Sequence, residues 1–177
     1  MERIYLSTGS NQGDRLDSLV KAARLIDKLV GKVIDYSVVV ETESWGFKAE
    51  TNFYNQVLMV DTDFSPKDVL IRILKIEKEL GRIREVTTSY SSRSIDIDIL
   101  FYGQERVNDE NLVIPHPRLQ LRKFVLQPLA SIAPDFIHPG LNSSIVELLN
   151  KLDDNTQVKA VIMKDEFKAM LDIINLS

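Results

Sequence analysis

An alternating run of apolar and acidic residues at positions 95–99 restricts the fold more than any other stretch of this chain. Three isoleucines alternate there with Asp96 and Asp98. Successive side chains of a β-strand point to opposite faces, so the isoleucines share one face and the two aspartates share the other. The Cα atoms of the aspartates are then about 6.6–7 Å apart. The run therefore predicts a strand that buries one face and presents both carboxylates on the other.

The two carboxylates indicate a cation site. Asp96 and Asp98 would repel each other at this spacing unless a cation lies between them. Carboxylate oxygens on a rigid strand suit Mg²⁺, which keeps several waters and shares its remaining positions with substrate phosphates. The alternative is an acidic strand face that is merely exposed to solvent, but aspartate is depleted in strands. The pair therefore favours a magnesium–phosphate site.

Composition narrows the class of protein. The chain has 177 residues, of which 44% are hydrophobic and 27% charged, and this suits one domain, residues 1–177, with an ordinary core. Its net charge of −4 gives no broad basic surface for nucleic acid. It has no cysteine, which excludes disulfides, a thiolate nucleophile and cysteine-bound zinc. With no apolar run as long as a membrane span and no signal-peptide core, we expect a monomeric cytoplasmic protein that binds no membrane.

Hydrophobic periodicity predicts the order strand, helix, strand, strand, helix, strand. The corresponding residues are 4–8, 16–30, 32–44, 53–61, 66–80 and 95–102. This order is that of a ferredoxin-like βαββαβ fold, an α+β fold with helices on one face of an antiparallel sheet. C-terminal additions follow: a helix at 141–152, a β-like run at 158–163 and a final amphipathic helix. We expect the tail, residues 153–177, to pack on the domain.

The second predicted helix brings an acid to the edge of its apolar stripe. Ser65 and Pro66 mark its start as cap and first helical residue. Glu77 lies one turn beyond Ile73, and an acid in that place is more often a solvated edge residue than a carboxylate aimed into a pocket. A polar stretch without periodicity, residues 82–93, then leads to the acidic strand and has an arginine at each end.

Short motifs in a specific order and spacing carry a family resemblance. They are Gly9-Ser10-Asn11, Thr42 with Gly46, Phe53-Tyr54-Asn55, Ile76-Glu77, Gly81-Arg82-Ile83-Arg84, Arg93 through Asp96-Ile97-Asp98, and Pro115-His116 with Arg122 and Phe124. Over residues 3–150 the chain resembles the hydroxymethyl-dihydropterin pyrophosphokinases of folate biosynthesis. The resemblance implies transfer of the pyrophosphoryl group of ATP to the pterin hydroxymethyl, with release of AMP.

The resemblance also implies roles for the matching residues. Asp96 and Asp98 are expected to bind two Mg²⁺ ions, with ATP as co-substrate and the hydroxymethyl-dihydropterin as the second small-molecule substrate. The implied nucleotide contacts are Glu77, Arg84, His116 and Arg122. The implied arginines at the transferred phosphates are Arg82 and Arg93. The implied pterin pocket consists of Thr42, Trp45, Phe53, Asn55, Tyr90 and Phe124.

The chemistry of these residues agrees with such a reaction. Phe53 and Phe124 can stack on a flat heterocycle, and Asn55 offers both a donor and an acceptor to its edge. Guanidinium groups match phosphate oxygens in a fork. The chain also departs from the family, because Phe53 stands where tyrosine is frequent, and Asn111 and Val113 stand where an arginine and a hydroxyl are often found near the nucleotide.

Two other functions remain open from the residues. A nucleotidyltransferase also uses a Gly-Ser turn and an Asp-x-Asp strand, although Ser10 and Asp96 are much farther apart in this chain than in such enzymes. A ferredoxin-like module that senses a small ligand would need neither Asp96 nor Asp98, and the final helix would be its docking element. The products discriminate among these functions: AMP indicates pyrophosphoryl transfer, and pyrophosphate indicates nucleotidyl transfer.

Overall fold

The computed structural model describes residues 1–43, 51–82 and 94–173. Within these ranges the strands are β1 (Glu2–Ser10), β2 (Lys32–Tyr36), β3 (Val39–Thr42), β4 (Phe53–Thr62), β5 (Asp96–Tyr102), β6 (Val107–Asp109), β7 (Leu112–Ile114) and β8 (Lys159–Ile162). The helices are α1 (Arg15–Leu29), α2 (Pro66–Glu79), α3 (Lys123–Ile132), α4 (Ile145–Lys151) and α5 (Lys164–Ile173). None of these helices is long and apolar enough to cross a membrane.

Six of the strands form one antiparallel sheet. β1 lies between β5 and β4, with Gly9 opposite Asp96 on one side and Asn55 on the other. The far side of β4 pairs with both β2 and β3, which follow each other along its length, and β8 adds to the outer edge of β3. β6 and β7 form a separate hairpin. The predicted combination of helices with an antiparallel sheet is thus confirmed.

One face of the sheet packs against α1 and α2. Alternate residues of the three central strands point to this side and are buried: Ile4, Leu6, Leu58, Val60, Ile97 and Ile99. The helices meet them with apolar residues three and four positions apart, which are Leu19, Ala23, Ile26, Val69, Ile73 and Ile76. Burial of such a side chain stabilises the fold by about 1.5–3 kcal/mol. This core holds β5 so that its two aspartates face the opposite side.

Helices α3 and α4 cover part of that opposite face. Their apolar residues, including Leu126 and Leu129, pack on Tyr5, Leu100 and Phe101. The two helices that were predicted on one face, α1 and α2, thus lie together there, and α3 and α4 add a second helical layer on the other face. The physical reason is that α3 has an apolar stripe of its own, which is stable only when it is buried against another layer.

Several element boundaries differ from those that periodicity predicted. Helix α3 was not expected, because Pro128 lies inside it and two further prolines follow in the same stretch. The strand predicted at 32–44 is divided at Ser37, whose amide donates to the Val57 carbonyl (2.9 Å) and whose hydroxyl accepts the Val57 amide (3.0 Å). The helix predicted from residue 141 begins only after Ser144, which forms a capping box with Glu147.

The C-terminal part of the chain adds a strand and a helix to the domain. β8 lies within the predicted β-like run at 158–163, and α5 follows it directly. Phe167 of α5 is fully buried, and its ring centroid lies 5.4 Å from that of Tyr36. Arg24 of α1 donates to the Leu171 carbonyl at 2.5 Å. Residues 159–171 therefore pack on the sheet edge and on α1.

Candidate functional site

Asp96 and Asp98 lie at the start of β5, on the sheet face that α3 covers farther along. Asp96 is opposite Gly9 of β1, and Asp98 is opposite Ser7. Ile95, Ile97 and Ile99 are all buried on the other side, whereas the Asp98 side chain is 38% exposed. The alternation of this strand is the one that the sequence predicts. The accessible carboxylates are thus held by a strand that the core keeps in register.

A buried acid and an arginine connect the end of α2 to this strand. Glu77 is only 1% exposed, and its carboxylate accepts the Ile97 amide at 2.8 Å. The Arg82 guanidinium pairs with both Glu77 and Asp96. The interpretation of Glu77 as a solvated edge residue is therefore wrong, because the start of β5 packs against the C-terminal end of α2 and covers it. Glu77 positions Arg82, and Arg82 lies directly beside one member of the aspartate pair.

His116 and Arg122 approach the other aspartate. The Asp98 carboxylate lies 3.9 Å from Nε2 of His116 and 4.0 Å from a terminal nitrogen of Arg122. Burial, together with the positive charge of Arg122, lowers the pKa of His116 to about 4, so the ring is neutral at physiological pH. Its Nδ1 accepts the Arg118 amide at 3.2 Å, which places the ring proton on Nε2. His116 therefore presents an uncharged N–H donor toward Asp98.

An apolar cleft opens next to this cluster. It has a volume of about 500 Å³ and includes Asp98 and His116 in its wall. The rest of the wall is largely apolar, with Leu70, Ile73 and Leu74 from α2, Ile97 from β5, and Leu112 and Val113 from β7. Glu110 and Asn111 add polar groups to the wall, and clefts of about 300–1,000 Å³ with a mainly apolar lining can hold drug-sized molecules. The cleft can thus accept an aromatic base whose charged substituent reaches the aspartates.

A second polar pair lies on the same face, beyond Gly9. Asn55 is buried on β4, and its amide donates to the Thr42 hydroxyl of β3 at 3.0 Å. A Cβ at Gly9 would lie only 2.9 Å from Oδ1 of Asn55, so glycine alone leaves room for that side chain. The Asn55 side chain therefore lies over Gly9, on the same sheet face as Asp96. Its amide group offers a donor and an acceptor to the edge of a small ring beside Asp96.

The two phenylalanines that were predicted to stack on the pterin belong to different elements. Phe53 is half-buried at the start of β4, opposite Thr42. Phe124 is half-buried in the first turn of α3, and its ring centre lies 5.7 Å from the guanidinium of Arg122. Stacking of both rings on one ligand stays a prediction. The predicted site residues Trp45, Arg84, Tyr90 and Arg93 lie outside the described residues.

Sequence reasoning missed the walls of the cleft. Leu70 and Leu112 line it, but Leu70 belongs to an ordinary helical stripe and Leu112 to a strand of three residues. Neither pattern distinguishes a pocket wall from a core residue. The one signal near them was the unusual pair of residues Asn111 and Val113, which both line the cleft.

The donor set suits a cation that is also bound by a substrate. Among the residues that the structure describes, no group of three or more histidine, aspartate or glutamate side chains could hold a metal ion by itself. Two carboxylates two residues apart leave most positions of an octahedral Mg²⁺ for water and phosphate oxygens. The residues present therefore fit a magnesium ion that arrives with, or is completed by, a phosphorylated ligand.

Comparisons of the chain with known proteins agree on one family. The family model described as 7,8-dihydro-6-hydroxymethylpterin-pyrophosphokinase (HPPK) matches residues 5–134. The 2-amino-4-hydroxy-6-hydroxymethyldihydropteridine pyrophosphokinase of Aquifex aeolicus is 40% identical over 139 residues, which are 78% of this chain and 85% of that protein. The enzyme of the same name from Porphyromonas gingivalis is 39% identical over 78% of this chain and 95% of its own length.

Longer proteins contain a similar region. The folic acid synthesis protein fol1 of Pneumocystis carinii is 38% identical over 91% of this chain, which spans only 21% of that protein. The crystal structure of Plasmodium falciparum HPPK-DHPS with pteroate superposes with a TM-score of 0.70 at 19% identity, over 85% of this chain and 44% of that one. The structural likeness supports the fold, and the family model and the sequence identities establish the relationship. The chain belongs to the 7,8-dihydro-6-hydroxymethylpterin-pyrophosphokinase family.

Proposed function

We propose that this chain transfers the pyrophosphoryl group of ATP to the hydroxymethyl group of 6-hydroxymethyl-7,8-dihydropterin and releases AMP, as a step of tetrahydrofolate biosynthesis. The observation that carries the proposal is the position of Asp96 and Asp98 between an apolar cleft and a buried polar pair. The cleft can bind the nucleotide base, and the polar pair of Asn55 and Thr42 can bind the pterin. The ATP phosphates and the pterin hydroxymethyl group then meet beside the aspartates. The names of the relatives at about 40% identity support the same reaction.

The nucleotide is placed by the cleft and the cationic groups beside it. Its base enters the cavity between α2 and β7, and its phosphates extend toward Asp98, His116 and Arg122. Arg82 lies at the far end of the phosphate chain, beside Asp96. A neutral N–H from His116 and two guanidinium groups then offset the negative charge of the triphosphate. Arg84 and Arg93 stay predicted contributors.

We propose that the cofactor is Mg²⁺ and that Asp96 and Asp98 bind it. We also propose that two Mg²⁺ ions bind. Bound magnesium neutralises the charge that develops on phosphate oxygens during transfer. The carboxylates are suited to this because β5 fixes their spacing and the isoleucines on its other face are fully packed.

The pterin is placed on the other side of Gly9. Asn55 and Thr42 supply hydrogen-bonding groups to its edge, while Phe53 and Phe124 are the proposed stacking partners. The hydroxymethyl oxygen then approaches Asp96, attacks the β-phosphorus of ATP and loses its proton to solvent. The bond from the β-phosphorus to the oxygen bridging it to the α-phosphorus breaks, and AMP leaves with that oxygen. Alignment and charge neutralisation are the main contributions that such a transfer requires from a protein.

The proposal extends to the architecture. The order β5-β1-β4 with β2 and β3 on the far side of β4 supports a ferredoxin-like βαββαβ unit, in which β2 and β3 together form one interrupted strand. The remaining elements are additions to it, and we propose that residues 1–177 act as one catalytic domain. A monomeric state and a cytoplasmic location stay predictions from the sequence.

A product assay tests the function against the alternatives. The protein is incubated with ATP, Mg²⁺ and the reduced pterin, and nucleotides are separated by chromatography. We expect AMP and the pterin diphosphate in equal amounts. Pyrophosphate and an adenylated pterin would instead indicate a nucleotidyltransferase, and binding without turnover would indicate a sensing module.

Two variants connect the assay to the aspartates. Asp96→Asn or Asp98→Asn should lower kcat by at least about 10³-fold with the fold intact. Asp135→Asn is the matched control, since Asp135 is an exposed acid between α3 and α4. Activity within tenfold of the wild-type value in both aspartate variants would contradict the assignment.

A further inference from the structure

Asp154 fixes the first turn of a helix that carries two site residues. It lies in the segment between α4 and β8, and one of its carboxylate oxygens accepts the Lys123 amide at 3.1 Å. The other oxygen accepts the Thr156 amide at 2.9 Å. The cap residue Arg122 makes no side-chain hydrogen bond to α3, so Asp154 supplies a capping acceptor from a distant part of the chain. A carboxylate is also favourable at a helix N-terminus because of the helix dipole.

Lys123 stands between the residues whose placement matters for the site. Arg122 is only 8% exposed and reaches to 4.0 Å from Asp98, and Phe124 is a proposed stacking partner of the pterin. The backbone between these two side chains is therefore held by Asp154. Burial alone would raise the pKa of Asp154, but hydrogen bonds from Thr156 and Lys123 hold that pKa below its usual value, so the carboxylate is charged at physiological pH.

The segment that contains Asp154 continues to the opposite wall of the site. It leads into β8, whose residues pair with Val39, Val40 and Glu41 of β3. β3 ends at Thr42, the partner of Asn55. The burial of Phe167 anchors the distal end of this segment on the core. The chain beyond residue 134, where the family match ends, thus contacts both elements that border the pterin site.

We propose that Asp154 is a positioning residue for the pyrophosphoryl transfer, acting through the Lys123 amide on Arg122 and Phe124. The inference depends on the proposed function, because its effect is on the binding of ATP and pterin. It assigns a role to the C-terminal segment that its packing alone does not require. The segment supports the site from outside, and no atom of Asp154 needs to touch a substrate.

The test first removes the Asp154 carboxylate and then removes the Lys123 amide that donates a hydrogen bond to it. Asp154→Ala should raise KM for the pterin and for ATP about five- to tenfold, which corresponds to about 1–1.4 kcal/mol of binding free energy, because Arg122 and Phe124 are then less well positioned, while kcat changes less. Asp153→Ala is the matched control, since Asp153 is the exposed neighbouring acid, and it should leave both KM values within twofold of wild type.

A proline at position 123 separates positioning from general stability. Proline is tolerated at the first helical position, lacks the amide that Asp154 accepts and presets the helical φ. The backbone of Arg122, at φ −123° and ψ 104°, is extended and compatible with a following proline. In the Lys123→Pro protein, Asp154→Ala should add no further increase in KM, and Lys123→Ala controls for the lost side chain. Asp154→Asn, which can accept only one of the two amides, should give an intermediate KM.

Amide exchange gives a readout that is independent of activity. Exchange of the Lys123 and Val125 amides, followed by NMR in the free protein, should become faster in Asp154→Ala and stay unchanged in Asp153→Ala.

If the wild-type protein shows no pyrophosphokinase activity, the proposed function fails while the exchange result stands. If Asp154→Ala has faster exchange or a lower Tm but both KM values within twofold of wild type, Asp154 only caps the helix and the inference is overturned. An equal increase in KM from Asp154→Ala in the Lys123→Pro background would also overturn it, and the Asp154→Asn protein replaces Asp154→Ala if the latter does not fold.

Discussion

Replacement of Glu77 tests whether the buried acid at the end of α2 organises the site. Its carboxylate accepts the Ile97 amide and pairs with Arg82, which in turn pairs with Asp96. Glu77→Ala would remove the carboxylate that accepts from the Ile97 amide and pairs with the Arg82 guanidinium, which is only 13% exposed. Glu77→Gln keeps the size of the side chain and an oxygen for the Ile97 amide, but removes the charge that Arg82 requires.

The expected magnitudes follow from these contacts. Removal of one partner of a buried ion pair costs about 3–5 kcal/mol when the other charge stays buried without compensation, and the lower end of this range applies because Arg82 keeps its pairing with Asp96. We therefore expect Glu77→Ala to lower the free energy of unfolding by about 3 kcal/mol or more. Glu77→Gln should lower it by about 1–2 kcal/mol, the difference between a charged and a neutral hydrogen bond. Since most small domains are stable by about 5–15 kcal/mol, both proteins should still fold.

Urea unfolding followed by far-UV circular dichroism measures the change, with equal m-values as the condition for comparison. Glu79→Ala is the matched control, because Glu79 is an exposed acid two residues farther along α2. In the double variant Glu77→Gln/Arg82→Met, the loss should be smaller than the sum of the two single losses, since the charge that Glu77 compensates is gone. A loss below about 1 kcal/mol for Glu77→Ala, or an equal loss in the control, would refute the reasoning.

Two further predictions concern the pterin side and the C-terminal helix. Gly9→Ala should weaken pterin binding about tenfold by calorimetry, with ATP binding unchanged within twofold, because the new Cβ displaces Asn55 from its bond to Thr42; equal losses for both ligands would contradict this. Phe167→Ala should lower the free energy of unfolding by about 3–5 kcal/mol, because a fully buried ring is replaced by a cavity, whereas the exposed Lys168→Ala should change it by less than about 0.5 kcal/mol.

The parts of the fold that local patterns determine were predictable. The alternation around Asp96 and Asp98 predicted the buried and accessible faces of β5, and Ser65 with Pro66 predicted the start of α2, where Ser65 accepts the Asp68 amide. Helix α3 was not predictable in the same way. Its apolar residues have helical spacing, but Pro128 at its sixth position is a residue that normally ends a helix.

The contacts of the site depend on tertiary packing more than the strands and helices do, and they were therefore harder to predict. The spacing of Glu77 on α2 indicated its distance from the apolar stripe but not that β5 would cover it. Its pairing with the Ile97 amide depends on how the end of α2 meets the start of β5, and residues 82 and 96 lie on opposite sides of a polar stretch without periodicity. The wall of the cleft depends on β6 and β7, and strands of three residues are too short to show a period.

Because Arg82 pairs with Asp96, a cation at the proposed metal site would compete with a guanidinium for this carboxylate. In the proposed complex Asp96 is a ligand of Mg²⁺, and Arg82 is then available to phosphate oxygens nearby. A partly buried ion pair of this kind is expected to contribute about 1 kcal/mol, so its absence should strengthen cation binding to the free protein about fivefold. Arg82→Met therefore should bind Mn²⁺, used as a paramagnetic probe for Mg²⁺, more tightly than wild type in the absence of nucleotide.

The same substitution should lower kcat by about 10²–10³-fold, since it removes the group that we propose to stabilise the transferred phosphates. Tighter cation binding together with slower turnover distinguishes this competition from a general disruption of the site, which would weaken both. Lys75→Met is the matched control, because it removes one positive charge from the exposed face of α2. Electron paramagnetic resonance of Mn²⁺ gives the dissociation constants. An unchanged constant in Arg82→Met, or the same increase in affinity in Lys75→Met, would show that Arg82 does not compete with the cation for Asp96.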